Sequence, residues 1–209
     1  MTRAIIYLSV FLLSLFSAKA QQGKYETGMQ KALELWGQQK PFEAANMFER
    51  ISKAETEKWI PHYYVAQINI LYSFEEKDKE KLSNQLSKAK EELDFAEAIS
   101  PNNPELLVLR ALLNTVWIAY DGATYGMTLS GPTSQIYAKA LEIAPNNPRV
   151  VFCKAEWDMG GAKFFGQDTA PFCKDIEKSL ELFATFKDET PFYPNWGKDR
   201  AEQVLASCK

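Results

Sequence analysis

Apolar residues recur along this chain at intervals of three and four, and runs that alternate apolar with polar are absent, so the pattern predicts helices and no strands. Ala32, Leu35 and Trp36 share a face of a first helix near Tyr25–Gln38. Pro41 opens a second, with Ala44, Ala45, Phe48 and Ile51 on one side. Pro61 sits near the start of a third, where a proline costs little because its missing N–H would be unpaired anyway; that helix carries Tyr64, Val65, Ile68, Leu71 and Tyr72. A fourth, Asp78–Ile99, buries Leu82, Leu86, Ala89, Leu93 and Ala96. The fifth is expected over Pro104–Tyr120, followed by a glycine-bearing loop, Asp121–Gly131, and a sixth helix over Pro132–Ala144. The seventh is expected over Pro148–Met159, with a second loop at Gly160–Ala170 and an eighth helix over Pro171–Phe186. A proline-bearing stretch, Pro191–Pro194, leads to a last helix, Trp196–Ser207.

One segment occurs twice. Ala96-Glu97-Ala98-Ile99-Ser100-Pro101-Asn102-Asn103-Pro104 is echoed by Ala140-Leu141-Glu142-Ile143-Ala144-Pro145-Asn146-Asn147-Pro148, and the copies lie 145 − 101 = 44 residues apart. In each, the first proline cannot extend the preceding helix. The second asparagine can cap the next one, a contribution of about 1 kcal/mol, and the second proline takes the first helical position. The same step leads from Ala96 and Ala140 to Ser52 and Ala184, small residues suited to close helix approach. A period of this order predicts stacked helix pairs closed by a terminal capping helix with a polar outer face.

The doubled turn, with the Phe42-Glu43-Ala44-Ala45 to Phe48 segment, resembles tetratricopeptide repeats, although the unit here is longer than the usual one of roughly 34 residues. The C-terminal half, through Phe164-Phe165-Gly166, Phe172-Cys173-Lys174-Asp175-Ile176 and Pro194-Asn195-Trp196-Gly197-Lys198, is similar to a family of exported tetratricopeptide-like proteins from the Bacteroidota. That resemblance implies an all-α superhelix of antiparallel helix pairs and an exported protein, and brings no activity with it. For such a scaffold the default role is to bind a protein or peptide partner on its concave face. The alternative is a small-ligand binder using an aromatic inner face and the two glycine-bearing loops.

The first twenty residues predict a cleaved leader: Arg3, an apolar run from Ile5 to Phe16, and Ala18-Lys19-Ala20 before the cleavage point. The apolar run is too short for a span of roughly 20 residues. The expected mature domain is 21–209, periplasmic or secreted, without a membrane anchor. Without Arg3 and Lys19, the 24 basic residues become 22 against 27 acidic, a net charge of −5. That balance, with no basic block, argues against nucleic acid.

Candidate chemistry changes the picture little. His62 is the single histidine and has no metal-ligand spacing around it. Gly160-Gly161-Ala162-Lys163-Phe164-Phe165-Gly166 lacks the ending and the preceding strand of a phosphate loop; its glycines are expected to make a bend while Phe164 and Phe165 plug the core. No enzyme activity, cofactor or metal is therefore expected. Aromatics near the first helices of pairs are the candidate partner or ligand contacts: Tyr63, Tyr64, Trp117, Tyr120 and Trp157, with Phe165 in the second loop. Export places Cys153, Cys173 and Cys208 in an oxidising compartment. Antiparallel packing of the last two helices would bring Cys173 to Cys208, leaving Cys153 a buried thiol; the rival pairing is Cys153 with Cys173.

Overall fold

The computed structural model describes residues 23–208, and the expected leader lies outside them. The chain is all-α: α1 (residues 23–37), α2 (Pro41–Ala54), α3 (Trp59–Ser73), α4 (Lys79–Ile99), α5 (Pro104–Tyr120), α6 (Gly122–Ile143), α7 (Pro148–Phe164), α8 (Ala170–Thr185) and α9 (Lys198–Ala206). Consecutive helices stack as antiparallel pairs, with α3 on α4, α5 on α6 and α7 on α8, and α9 closes the end against α8 and α7. The first pair approaches closely: a Cβ on Gly28 of α1 would stand 3.2 Å from Ile51 Cδ1 of α2. One core cluster joins α1 to α5 through Met29, Phe48, Ile68, Leu86, Leu93 and Leu109. A second joins α5 to α9 through Val108, Tyr137, Phe152, Ile176 and Ala201.

Side-chain oxygens start several helices. Asp78 accepts from the amides of Glu80 and Lys81, and Asn103 from that of Glu105. Asn147 accepts from the amides of Arg149 and Val150. These caps satisfy donors that have no partner within the helix. Ser52, Ala96 and Ala140 are buried at the 44-residue step, whereas Ala184 is exposed, because no further pair stacks on α8.

The doubled turn also interlocks the stack. Glu105 and Arg149 are 44 residues apart and occupy the same position, two residues beyond the capping asparagine, with opposite charge. Both are buried, at 0% and 1% exposure. Arg149 donates from Nε to Glu105 Oε2 at 2.7 Å and from Nη2 to Oε1 at 2.8 Å. Asn147 Nδ2 adds a third bond to Oε1 at 2.7 Å. A fork of this kind is the strong form of a charge-assisted pair.

Two loops expected from the sequence are largely helix. α6 begins at Gly122 rather than Pro132, because Asp121 caps it, accepting from Thr124 N at 3.0 Å and Thr124 Oγ1 at 2.6 Å. Packing on α5 offsets the low helix propensity of the glycines. Pro132 is thus inside the helix, where it removes the bond to the carbonyl of Thr128. α7 likewise runs on through Gly160 and Gly161 to Phe164.

The single histidine ties α3 to α4. His62 Nδ1 lies 2.6 Å from Glu92 Oε2, and Lys88 reaches Glu92 Oε1 at 2.8 Å. Burial pushes the Glu92 carboxyl up, but the bonds from His62 and Lys88 outweigh it and hold it below the ordinary glutamate value. A depressed native value means a contribution present above the unfolded-state pKa and lost as pH falls through the folded one. Urea titrations at decreasing pH are therefore expected to show Glu92→Gln flattening the acid loss of stability relative to the unmodified chain.

Candidate functional site

The inner face of the stack, where a peptide partner is expected, is covered by the chain itself. Residues 186–197 run back from α8 across the first helices of the pairs. Phe186 and Tyr193 take the Arg149 guanidinium, at 4.9 and 5.5 Å from their ring centroids. Tyr193 packs edge-on to Trp59 at 5.9 Å. Phe192, at a φ of 64°, packs edge-on to Tyr25 at 5.8 Å, and its carbonyl accepts from Tyr64 Oη. Trp196 Nε1 donates to Tyr63 Oη at 2.6 Å.

Tyr63 and Tyr64, chosen as contact residues, are consequently buried core side chains beneath this strap. Burial pushes both hydroxyls above the ordinary tyrosine value. This corrects the expectation of an open concave groove: the aromatic rings that would line it are already paired, one after another, with rings of the C-terminal segment.

The other four candidates lie toward one end of the stack, where α5 and α7 finish and α6 starts. Trp117 stacks at a tilt on Tyr125 of α6, 4.9 Å between centroids. Tyr120 is exposed at the end of α5, and Met127 of α6 is 96% exposed. Trp157 donates from Nε1 to Ser134 Oγ at 2.9 Å, which sets the register of α6 against α7. Carrying that antiparallel register onward brings Ser130 level with Gly161, and Gly126 level with Phe165. Phe164 and Phe165 pack edge to face on each other and are 83% and 74% exposed. They do not plug the core, because α7 carries them past the last neighbouring side chains.

Between these aromatics α6 presents a stripe at positions 122, 126, 130, 133, 137 and 140, spaced as one face of a helix. Its last three members, Thr133, Tyr137 and Ala140, are buried. Its first three, Gly122, Gly126 and Ser130, are not. A Cβ built on Gly122 or Gly126 would meet nothing within 4 Å. The face is therefore open at Gly122 and Gly126, where a side chain would meet no neighbour. Gly126 lies inside the helix, where glycine costs about 1 kcal/mol relative to alanine, so the shallow trough at that position is kept at a local cost.

Among the described residues no group of three or more His, Cys, Asp and Glu is placed to hold a metal ion. Cys173 and Cys208 are joined, with 6.1 Å between their Cα atoms, and Cys153 is a buried free thiol that burial pushes well above its ordinary pKa. No described helix is long and apolar enough to cross a membrane.

These features define an all-α helical-repeat protein of stacked antiparallel helix pairs. Its structure is similar to that of the HusA haemophore from Porphyromonas gingivalis, with a TM-score of 0.77 and 25% sequence identity over 88% of this chain and 92% of that one. A thermophilic tetratricopeptide protein from Thermus thermophilus aligns over 88% of this chain and 98% of its own, at a TM-score of 0.41 and 14% identity. No protein-family model matches the chain, and no curated protein does. The resemblance to an exported tetratricopeptide-like family without known activity is thereby corrected: the structural counterpart is a characterised haemophore.

Proposed function

We propose that the protein is an exported carrier, periplasmic or secreted, that binds a planar, largely apolar ligand of the haem type. The ligand lies on the trough of α6, between Trp117 and Tyr125 on one side and Trp157, Phe164 and Phe165 on the other. The observation that carries this reading is the open surface at Gly122 and Gly126, flanked by half-buried Trp117, Tyr125 and Trp157 and exposed Phe164 and Phe165. Small residues let a flat ring approach the helix backbone, and the aromatics offer edges and faces to it. Likeness over nearly the whole chain to a haemophore supports the choice of ligand class. The covered inner face counts against the other reading, a peptide-binding groove.

The test is a haemin titration of the mature protein, read by the Soret band and by quenching of tryptophan fluorescence. Saturable binding at one site is expected. Gly126→Leu fills the trough and is expected to weaken binding by at least about tenfold, or roughly 1.4 kcal/mol. Gly126→Ala is expected to raise stability by about 0.5–1 kcal/mol, since its methyl meets no neighbour. Unchanged haemin affinity in Gly126→Leu would remove the trough from the reading, and absence of binding by the unmodified protein would end it.

A further inference from the structure

Consecutive helices run in opposite directions, so the turns α1–α2, α3–α4, α5–α6 and α7–α8 share one edge of the stack. The turns α2–α3, α4–α5 and α6–α7 share the other. Contacts along the first edge agree with this. Phe42 at the start of α2 packs on Tyr72 at the end of α3, 5.7 Å between ring centroids. Lys79 at the start of α4 acts by its charge on Asp121, which caps α6. Eight large apolar side chains are exposed among the described residues, and six of them stand on this edge: Phe42, Phe74, Tyr120, Met127, Phe164 and Phe165. Phe95 and Ile143 lie toward the other edge.

The six do not form one continuous patch. Each turn carries one or two of them, with charges close by in the chain: Lys40 and Glu43 beside Phe42, Glu75 and Glu76 beside Phe74, Asp121 beside Tyr120, and Lys163 beside Phe164. A protein partner would have to bury these charges with the rings, whereas the centre of a protein interface is depleted of charge. The boundary between lipid headgroups and acyl chains takes both at once, because rings enter it while charged neighbours stay among the headgroups. The charges are of both signs and alternate as Lys77-Asp78-Lys79-Glu80-Lys81 at the second turn, a pattern that complements zwitterionic headgroups rather than a surface of one sign. We infer that this edge docks the protein on a bilayer surface of zwitterionic lipid, with Phe42, Phe74, Tyr120 and the Phe164–Phe165 pair entering the interface. The contact is peripheral, since no described helix is long and apolar enough to cross a membrane. The inference uses exposure and position alone and does not rest on the ligand reading, although the trough of α6 opens near the same edge.

The experiment is co-sedimentation of the mature protein, without haemin, with vesicles of phosphatidylethanolamine and phosphatidylcholine. Saturable binding is expected, little changed by salt. Added phosphatidylglycerol should weaken it, because the mature chain is acidic. Phe42→Ser with Phe74→Ser should lower the vesicle affinity by at least about tenfold, since two rings leave the interface. Haemin affinity should not change in that variant, because neither residue borders the trough. Phe95→Ser with Ile143→Ser, the same chemistry at the other edge, should bind vesicles as the unmodified protein does, and urea midpoints check that both double variants are folded. With bromine on the acyl chains, Trp117→Phe should remove more of the fluorescence quenching than Trp59→Phe, because Trp59 opens α3 at the other edge. Absence of co-sedimentation, equal losses in the two double variants, or quenching centred on Trp59 would each overturn the proposal. So would binding to native envelopes but not to protein-free vesicles, which would make the partner a protein. Vesicle binding without haemin binding would end the ligand reading alone, and haemin binding without vesicle binding would end this one alone.

Discussion

Replacing Arg149 by methionine is expected to destabilise the protein by about 3–5 kcal/mol, because it strands a buried carboxylate. Glu105 is fully buried and accepts from Arg149 Nε, Arg149 Nη2 and Asn147 Nδ2. With the guanidinium gone, only Asn147 Nδ2 and the neighbouring Tyr193 hydroxyl are left to a buried charge. Burial works against the Arg149 cation too, yet the hydrogen bonds and charge of Glu105 outweigh it and raise the guanidinium pKa. The loss should extend beyond the pair, since Phe186 and Tyr193 both rest on that guanidinium. The double variant Glu105→Gln with Arg149→Met should be less damaging than Arg149→Met alone, because two neutral groups bury more cheaply than one unpaired charge. Equilibrium urea unfolding of the three variants measures this. A single variant that loses less than about 1 kcal/mol would place the pair among the ordinary surface bridges.

The second large effect is expected on opening the Cys173–Cys208 bond. The bond closes a separation of 35 residues. In the chain-entropy account, a loop of that length contributes about 3–4 kcal/mol by restricting the unfolded chain. The segment it closes contains α8, the strap and α9, so the loosened chain should lose the contacts of Tyr193 and Trp196 on α3 along with α9 itself. Cys173→Ser with Cys208→Ser is expected to lower the urea midpoint, and reductant should bring the unmodified protein to the same value. The fluorescence of Trp196, in the strap, and of Trp59, packed on it, should change at lower urea than that of Trp157. Identical midpoints with and without reductant would show that the strap and α9 hold without the bond.

Helix spacing carried most of the architecture. The repeats of apolar residues in α2 and α4 and the two Pro-Asn-Asn-Pro turns correspond to elements whose boundaries lie within a residue or two of the expected ones. The first half of α6 was hidden because glycine, threonine and proline read as loop locally, and α5, a tertiary neighbour, decides otherwise. For the same reason Phe164 and Phe165 read as core: two adjacent aromatics imply burial unless the helix carrying them is known to outrun its neighbours. The Glu105–Arg149 pair left a faint trace, opposite charges at equivalent places in the doubled segment, visible only once the 44-residue offset is applied to every position. The strap left none. Nothing local to Tyr193 or Trp196 indicates that they lie against Trp59 and Tyr63, and the aromatic richness of α3 fits a peptide groove equally well until the chain end is seen in it.

Stacked helical repeats usually touch only their neighbours, so they can begin to fold anywhere and lose terminal units gradually. The strap removes that freedom here. The hydrogen bonds from Tyr64 to Phe192 and from Trp196 to Tyr63 span 128 and 133 residues, and contacts of such separation carry loop-closure entropy before they return any stability. The first two pairs, although earliest in the chain, lack their inner lining until its C-terminal residues have been made. A C-terminally truncated chain is therefore expected to leave the rings of Tyr25, Trp59, Tyr63 and Tyr64 uncovered, because the last residues of the chain tie its first helices to its last.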